Sequence, residues 1–221
     1  PMRQAQTFAA GKSVGPSASV DIVRDDRCAM FSVQVISGIK VAPSPNWVVS
    51  RLHALGMRSI NNVVDASNLV MLELNQPNHA YDADVVNSFR IRCAHKKETI
   101  VTLDGVARVL HDDDLLICNA ADDSAVGLAG VMGGQDSEIT DSTTVLALEI
   151  AAFVADPIRF TANRHGLRSE ASARFERGVD PEGVRGAIDR FVTILSHTCP
   201  SVSLCGEIVV ARAPNQVHPD A

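Results

Sequence analysis

Apolar positions change their period along this chain, and each change predicts an element. Residues 32–39 place Val33, Val35 and Ile39 in a strand-like pattern, predicting a half-buried edge strand that stops before Pro43-Ser44-Pro45. Val48, Leu52 and Leu55 then recur at helical spacing, with Ser44 as the expected N-cap, Pro45 in the first turn and Gly56 as the stop. A second helix is expected from its cap Asp65, with Leu69, Val70, Leu72 and Leu74 on a broad buried face. Asn75 ends it in the left-handed conformation, and Gln76-Pro77-Asn78 turns the chain sharply.

From there the pattern shortens. Residues 89–94, 100–103, 107–110 and 115–119 read as strands punctuated by Asp104-Gly105 and Asp112-Asp113-Asp114, a β-meander signature. Residues 145–150 read as another strand. Asp156-Pro157 starts a short helix ending at Gly166, residues 166–178 read as a polar loop, and Asp180-Pro181 opens a long amphipathic helix with Val184, Ile188, Phe191 and Leu195 on one face. Residues 202–210 make a closing strand. Short strands alternating irregularly with helices imply an α+β fold with mixed, mostly antiparallel β-sheets enclosing a cleft and about three outer helices. Residues 1–27 read as a loose lead-in, 28–212 as one globular domain and 213–221 as a linker.

The chain has 221 residues, 46% of them hydrophobic, enough to bury a substantial core. A net charge of -6 argues against a broad nucleic-acid-binding face, so any RNA contact is local, around Arg58, Arg159, Arg164, Arg168 and Arg174. Five widely spaced cysteines without a CxxC pair read as reduced thiols of a cytoplasmic protein, and no apolar run is long enough to span a membrane. Starting at Pro1, the sequence reads as a piece of something longer.

Candidate chemistry concentrates in residues 56–82, GMRSINNVVDASNLVMLELNQPNHAYD. The turn at 76–78 delivers His79 to one side of a cleft, with Arg58 beside Asn61 and Asn62 on the other. The run VGLAGVMGG, with Gly127, Gly130, Gly133 and Gly134, lacks a P-loop lysine and does not match GxGxxG. It reads either as a phosphate cradle or as backbone that must approach a ligand or another backbone closely. Glu149 lies in an otherwise apolar strand, where a carboxylate needs a partner: a ligand, or a buried arginine such as Arg159 or Arg174. Asp112-Asp113-Asp114 reads as a solvated turn in preference to a metal loop, so no metal site is assigned.

Together, GMRSINNVVDASNLVMLELNQPNHAYD, LAGVMGGQDSEITDSTT, LALEIAAFVADPIR and GLRSEASARFERGVDP resemble the editing region of the β subunit of bacterial phenylalanyl-tRNA synthetase, from about residue 28 to residue 219. The chain departs from that family's usual residues at Asn75 (Gly), Asn78 (bulky apolar), Tyr81 (Phe) and Ser169 (often Thr), and its end lies near the family's next domain junction, as in an excised region.

The resemblance implies hydrolysis of the ester of tyrosine mischarged onto tRNA(Phe). A pocket built for phenylalanine rejects a side chain that merely adds a hydroxyl by only about a hundredfold. By resemblance Glu149 reads the tyrosyl hydroxyl, Arg58 and His79 stand near the terminal adenosine and the ester, and Ser169 and Ala171 line the pocket. The glycine run and Asn61 and Asn62 complete the substrate site. The implied partners are the tRNA 3′ end, the synthetase α subunit and the remaining β-chain domains. No cofactor is implied for this region, ATP and Mg belonging to the complete ligase. Two other readings stay open: a non-catalytic tRNA-positioning or subunit-docking module on the same fold, and a metal-dependent hydrolase using His79, His111 and the aspartates near 112.

Overall fold

Strand β10 (Val145–Phe153) organises the molecule because both of its faces are buried. Its odd-numbered residues Ala147, Ala151 and Phe153 enter one core with Phe31 and Phe89, and its even-numbered Leu146, Leu148 and Ile150 enter a second with Leu69 and Phe191. The sequence there is therefore apolar almost without alternation, and Glu149 is the polar exception on the odd face. The computed structural model describes residues 17–24 and 26–213.

β10 lies in a four-stranded antiparallel sheet, between β2 (Cys28–Ser37) and β3 (Asn78–Asp82), with β11 (Ser203–Arg212) on the far side of β2. β2 is thus an interior strand, not the half-buried edge its pattern predicted: its Phe31 and Val33 face one core and its Met30 and Ile36 the other. A five-stranded sheet packs on one face, in the order β1 (Ser19–Ile22), β4 (Ser88–Cys93), β7 (Leu115–Asn119), β8 (Ala125–Leu128), β9 (Met132–Gly133). Only its β1–β4 pairing is parallel. The meander is interrupted by a separate hairpin of β5 (Thr99–Val101) and β6 (Ala107–Val109).

Five α-helices occur among the described residues, against about three expected. Val48 and Leu52 of α1 (Asn46–Ala54), Leu69 and Val70 of α2 (Asn62–Leu74) and Ile188 and Phe191 of α5 (Val184–Leu195) fill the core on the other face of the four-stranded sheet. Ile158 and Ala162 of α3 (Ala155–Arg164) and Phe175 of α4 (Glu170–Phe175) join the core between the sheets. None of these helices is long and apolar enough to cross a membrane. The α+β class and the predominance of antiparallel pairing are as the sequence implied.

Local differences have local causes. The Ser44 hydroxyl donates to Asp65 at 2.6 Å instead of capping α1, whose N-cap is Pro45. α2 starts earlier than Asp65: Asn61 is its N-cap and accepts from the backbone N–H groups of Val63 and Val64. Asp65 is buried beneath the connection between the two helices and also accepts from the Ser59 hydroxyl and the Ile60 N–H. Asn75 does end α2 left-handed, at φ 54°. The stretch 166–178 is not all loop, because Ser169 and Ser172 form a reciprocal capping box that nucleates α4. In the expected lead-in, residues 19–22 form β1. Residues 1–16 of that lead-in and 214–221 of the expected linker lie outside the described residues.

Candidate functional site

The turn after α2 is fixed from both sides. The Asn78 side-chain amide donates to the carbonyls of Ser67 (3.1 Å) and Gln76 (3.0 Å), while the Ser67 hydroxyl donates to the Asn78 carbonyl at 2.9 Å. This clamp launches β3 along the edge of the four-stranded sheet, where strand alternation turns His79 and Tyr81 to the same face. Across the pairing with β10, His79 stands opposite Glu149 and Tyr81 opposite Ala147. The small residue leaves room for the Tyr81 ring, whose hydroxyl reaches along β10 and donates to Glu149 Oε2 at 3.1 Å. Carboxyl, phenol and imidazole thus line one cavity of about 470 Å³.

The glycine run forms the lid of this cluster. It is the hairpin β8–β9, with Gly127 and Gly133 paired across it. A Cβ on Gly133 would lie 3.0 Å from both Cε1 and Nε2 of His79, and one on Gly127 would lie 3.7 Å from the Tyr81 hydroxyl. Gly133 is therefore what lets backbone close over the imidazole. The close-approach reading of this run holds, and the hairpin leads only into a single 3-10 turn, Gln135–Ser137, and not into the α-helix a phosphate cradle needs. Gly130, at the hairpin tip with φ +67°, packs on the rings of Phe153 and Phe175 and also lines the cavity. Gly134 sits outside it, against the Val126 carbonyl.

Burial sets the electrostatics. Glu149 is 6% exposed, and desolvation pushes its carboxyl up to about 8, opposed by the hydrogen bond from Tyr81. Desolvation pushes His79 down to about 4, and its buried Nε2 has no partner among the described residues. Near neutral pH both groups are held uncharged. Neither Arg159 nor Arg174 pairs with Glu149: the first binds Asp156 and the second Glu170, at 2.8 and 2.7 Å.

The other expected site residues divide. Ser169 and Ala171 line the cavity, but the Ser169 hydroxyl is committed to the Val131 carbonyl at 2.7 Å and to the α4 cap. Arg58 is exposed on the loop before α2, between Met57 and Ile60, which line the cavity mouth while Arg58 itself does not. Asn61 and Asn62 do not line it. Asn61 caps α2, and Asn62 is buried, bonded to Ala42, Lys40 and Thr198. Tyr81, a departure from the family's usual residue, is a site residue beyond those expected, and its spacing of two residues from His79 in a strand is the sequence signal that both share a face. A second orphan atom at this cavity, Asn78 Oδ1, had no sequence signal.

The acidic stretch splits as well. Asp114 is fully buried, bound by Arg164, Thr161 (3.2 Å) and His165 (2.6 Å), and ties the start of β7 to α3. His111, Asp112 and Asp113 cluster on the surface, where Arg27 already holds Asp113 at 2.8 Å. His79 is not part of that group, so a metal site uniting His79 with His111 is not formed.

Comparison with known proteins agrees with this architecture. The B3/4 domain family matches residues 27–200. The chain is 45% identical over 212 residues to the phenylalanine-tRNA ligase beta subunit of Anaeromyxobacter dehalogenans, covering 95% of this chain and 26% of that protein. It is 46% identical over 189 residues to the phenylalanine-tRNA ligase beta subunit of Moorella thermoacetica, covering 85% and 23%. The chain thus spans about a quarter of the length of these relatives. In structure it is similar to an N-terminal fragment of the phenylalanyl-tRNA synthetase beta subunit from Pyrococcus horikoshii, with a TM-score of 0.54 and 11% identity over 90% of this chain and 52% of that one, a likeness of fold. The chain belongs to the B3/4 domain family, and nearly all of it is similar to one stretch of bacterial phenylalanine-tRNA ligase beta subunits.

Proposed function

We propose that this domain edits: it takes the 3′ end of a tRNA(Phe) mischarged with tyrosine into the cavity and hydrolyses the ester. The observation that carries the reading is the Tyr81–Glu149 hydrogen bond. A phenolic hydroxyl already sits 3.1 Å from this buried carboxyl, so the site accepts the one group that distinguishes tyrosine from phenylalanine. A phenylalanyl side chain brings no donor for the remaining acceptor capacity of Glu149, so the tyrosyl ligand gains a hydrogen bond that the phenylalanyl ligand cannot make.

In the reaction, water adds to the ester carbonyl and the bond to the ribose oxygen breaks, releasing tyrosine and a free tRNA hydroxyl. An activated serine or cysteine is not needed, since orienting a water against an ester supplies much of the rate. His79 suits that role. Held near pKa 4 it is a weak base, but its unpartnered Nε2 is free to orient a water at neutral pH. Arg58, exposed beside the mouth, is placed to meet a phosphate of the tRNA end. Within a complete cytoplasmic ligase, the α subunit and the other β-chain domains would deliver the tRNA and carry out the ATP- and Mg-dependent charging.

The test is incubation of the purified chain, and of the complete ligase, with tyrosyl- and phenylalanyl-tRNA(Phe). Preferential release of tyrosine supports the proposal. Binding of the tRNA end without release of either amino acid assigns the domain to docking instead.

A further inference from the structure

Tyr81 is the only tyrosine in the chain. It is 1% exposed and held edge-on to His79 with ring centroids 4.5 Å apart, and tilted against Phe89 at 5.2 Å. Its hydroxyl has one hydrogen-bond partner among the described residues, Glu149. The carboxyl assigned above to a ligand's phenol is therefore already bonded to a phenol of the protein itself.

We propose that Tyr81 is a specificity-determining residue that competes internally with the ligand hydroxyl for Glu149. The inference rests on the reading of Glu149 given under the proposed function. A buried acceptor with no donor is costly, so a site holding an unpaired Glu149 would gain strongly from the first hydroxyl to arrive. Tyr81 removes most of that cost in the empty site. An arriving hydroxyl then displaces the Tyr81 donor or shares the carboxyl with it, and two donors on one carboxyl each bond more weakly than one alone. A phenylalanyl side chain leaves the internal bond undisturbed. Tyr81 thus narrows the difference between tyrosyl and phenylalanyl ligands, in exchange for a carboxyl that is bonded and oriented before any ligand enters. On the opposite side of the phenol β8 carries Gly127, where even an added Cβ would stand at an ordinary contact distance of 3.7 Å from the hydroxyl, so the backbone leaves the phenol room to yield to a ligand.

A single tyrosine makes the test direct. Incorporation of tyrosine labelled with carbon-13 at Cζ gives one resonance, that of Tyr81, which is followed during titration with L-tyrosinamide and with L-phenylalaninamide. L-Tyrosinamide should move the resonance toward that of a weakly bonded phenol, whereas L-phenylalaninamide should bind without doing so. Tyr81→Phe removes only the hydroxyl and should raise the preference for L-tyrosinamide over L-phenylalaninamide by roughly three- to tenfold, the worth of one hydrogen bond. Glu149→Ala, which removes the acceptor, should reduce that preference in either background. If Tyr81→Phe leaves the preference unchanged or lowers it while Glu149→Ala still reduces it, the competitor role is overturned and the reading of Glu149 stands. If Glu149→Ala changes neither affinity, both fall. Should Tyr81→Phe fail to fold, the labelled unsubstituted chain decides: equal movement of the resonance with both amides, or none with L-tyrosinamide, overturns the competitor role.

Discussion

His79 and Glu149 face each other across the pairing of β3 and β10, and burial drives their ionisation in opposite directions: the imidazole down to about 4, the carboxyl up to about 8. An imidazolium-carboxylate pair would be the simple expectation for two such neighbours. Instead desolvation holds both neutral around pH 7, and Tyr81, not His79, donates to the carboxyl. The site is consequently a hydrogen-bonding surface whose charge state depends on pH.

Stability should fall as pH rises from 6.5 to 8. The folded-state pKa of Glu149 is raised above its unfolded value, so its contribution is fully present below pH 4.5 and is lost as pH climbs through about 8. His79 has the opposite sign, losing stability as pH falls from 6.5 through about 4, and does not contribute within this window. Urea midpoints across pH 6.5–8.5 should decline for the native chain and remain nearly flat for Glu149→Gln.

Discrimination against the phenylalanyl ester should grow with pH. Below about 8 Glu149 meets a ligand hydroxyl as a neutral acid, and above it as a carboxylate, a stronger acceptor. The ratio of tyrosyl- to phenylalanyl-tRNA hydrolysis by the complete ligase, measured from pH 7 to 9, should rise. Glu149→Ala should lower that ratio by about tenfold or more, with Glu149→Gln intermediate. Equal slowing of both esters by Glu149→Ala would make the carboxyl a general participant and not a reader.

Two glycine substitutions should separate function from folding. Gly133→Ala places a methyl 3.0 Å from the imidazole and 3.1 Å from Leu103 without a left-handed φ, so tyrosyl-ester hydrolysis should drop about tenfold while stability falls less than for Gly130→Ala. Gly130→Ala puts a side chain at φ +67° against two phenylalanine rings and should cost about 1–3 kcal/mol of stability by urea unfolding.

Asp114→Ala should destabilise the chain by about 3 kcal/mol, the lower end for breaking a buried ion pair because Arg164 retains access to solvent. Thermal or urea unfolding checks the loss. Affinity of the folded variant for L-tyrosinamide should be unchanged, since Asp114 lies outside the cavity lining.

By itself the sequence determined the elements whose signals are local. Asn75 ends α2 because it tolerates the left-handed region better than most residues, Asp180-Pro181 leads into α5 with its predicted apolar face buried, and the α+β class follows from irregular alternation of short strands and helices. The same local signals misplaced the groups whose partners come from afar. Asp65 and Ser44 both read as caps, yet they bind each other across 21 residues. Asn61 and Asn62 look like site amides beside Arg58, but one is spent on a helix N-terminus and the other on a buried link to Thr198. That β2 is interior and that β1 joins the second sheet were settled by what covers each segment, whereas the helix within 169–175 starts from a local capping box of Ser169 and Ser172. Glu149 was legible as a carboxylate in need of a partner, because its strand is otherwise apolar. Which partner it has was decided only by the register of β3 on β10, since hydrogen bonds between residues 68 positions apart depend on which strands meet and in what alignment, and no local pattern encodes either.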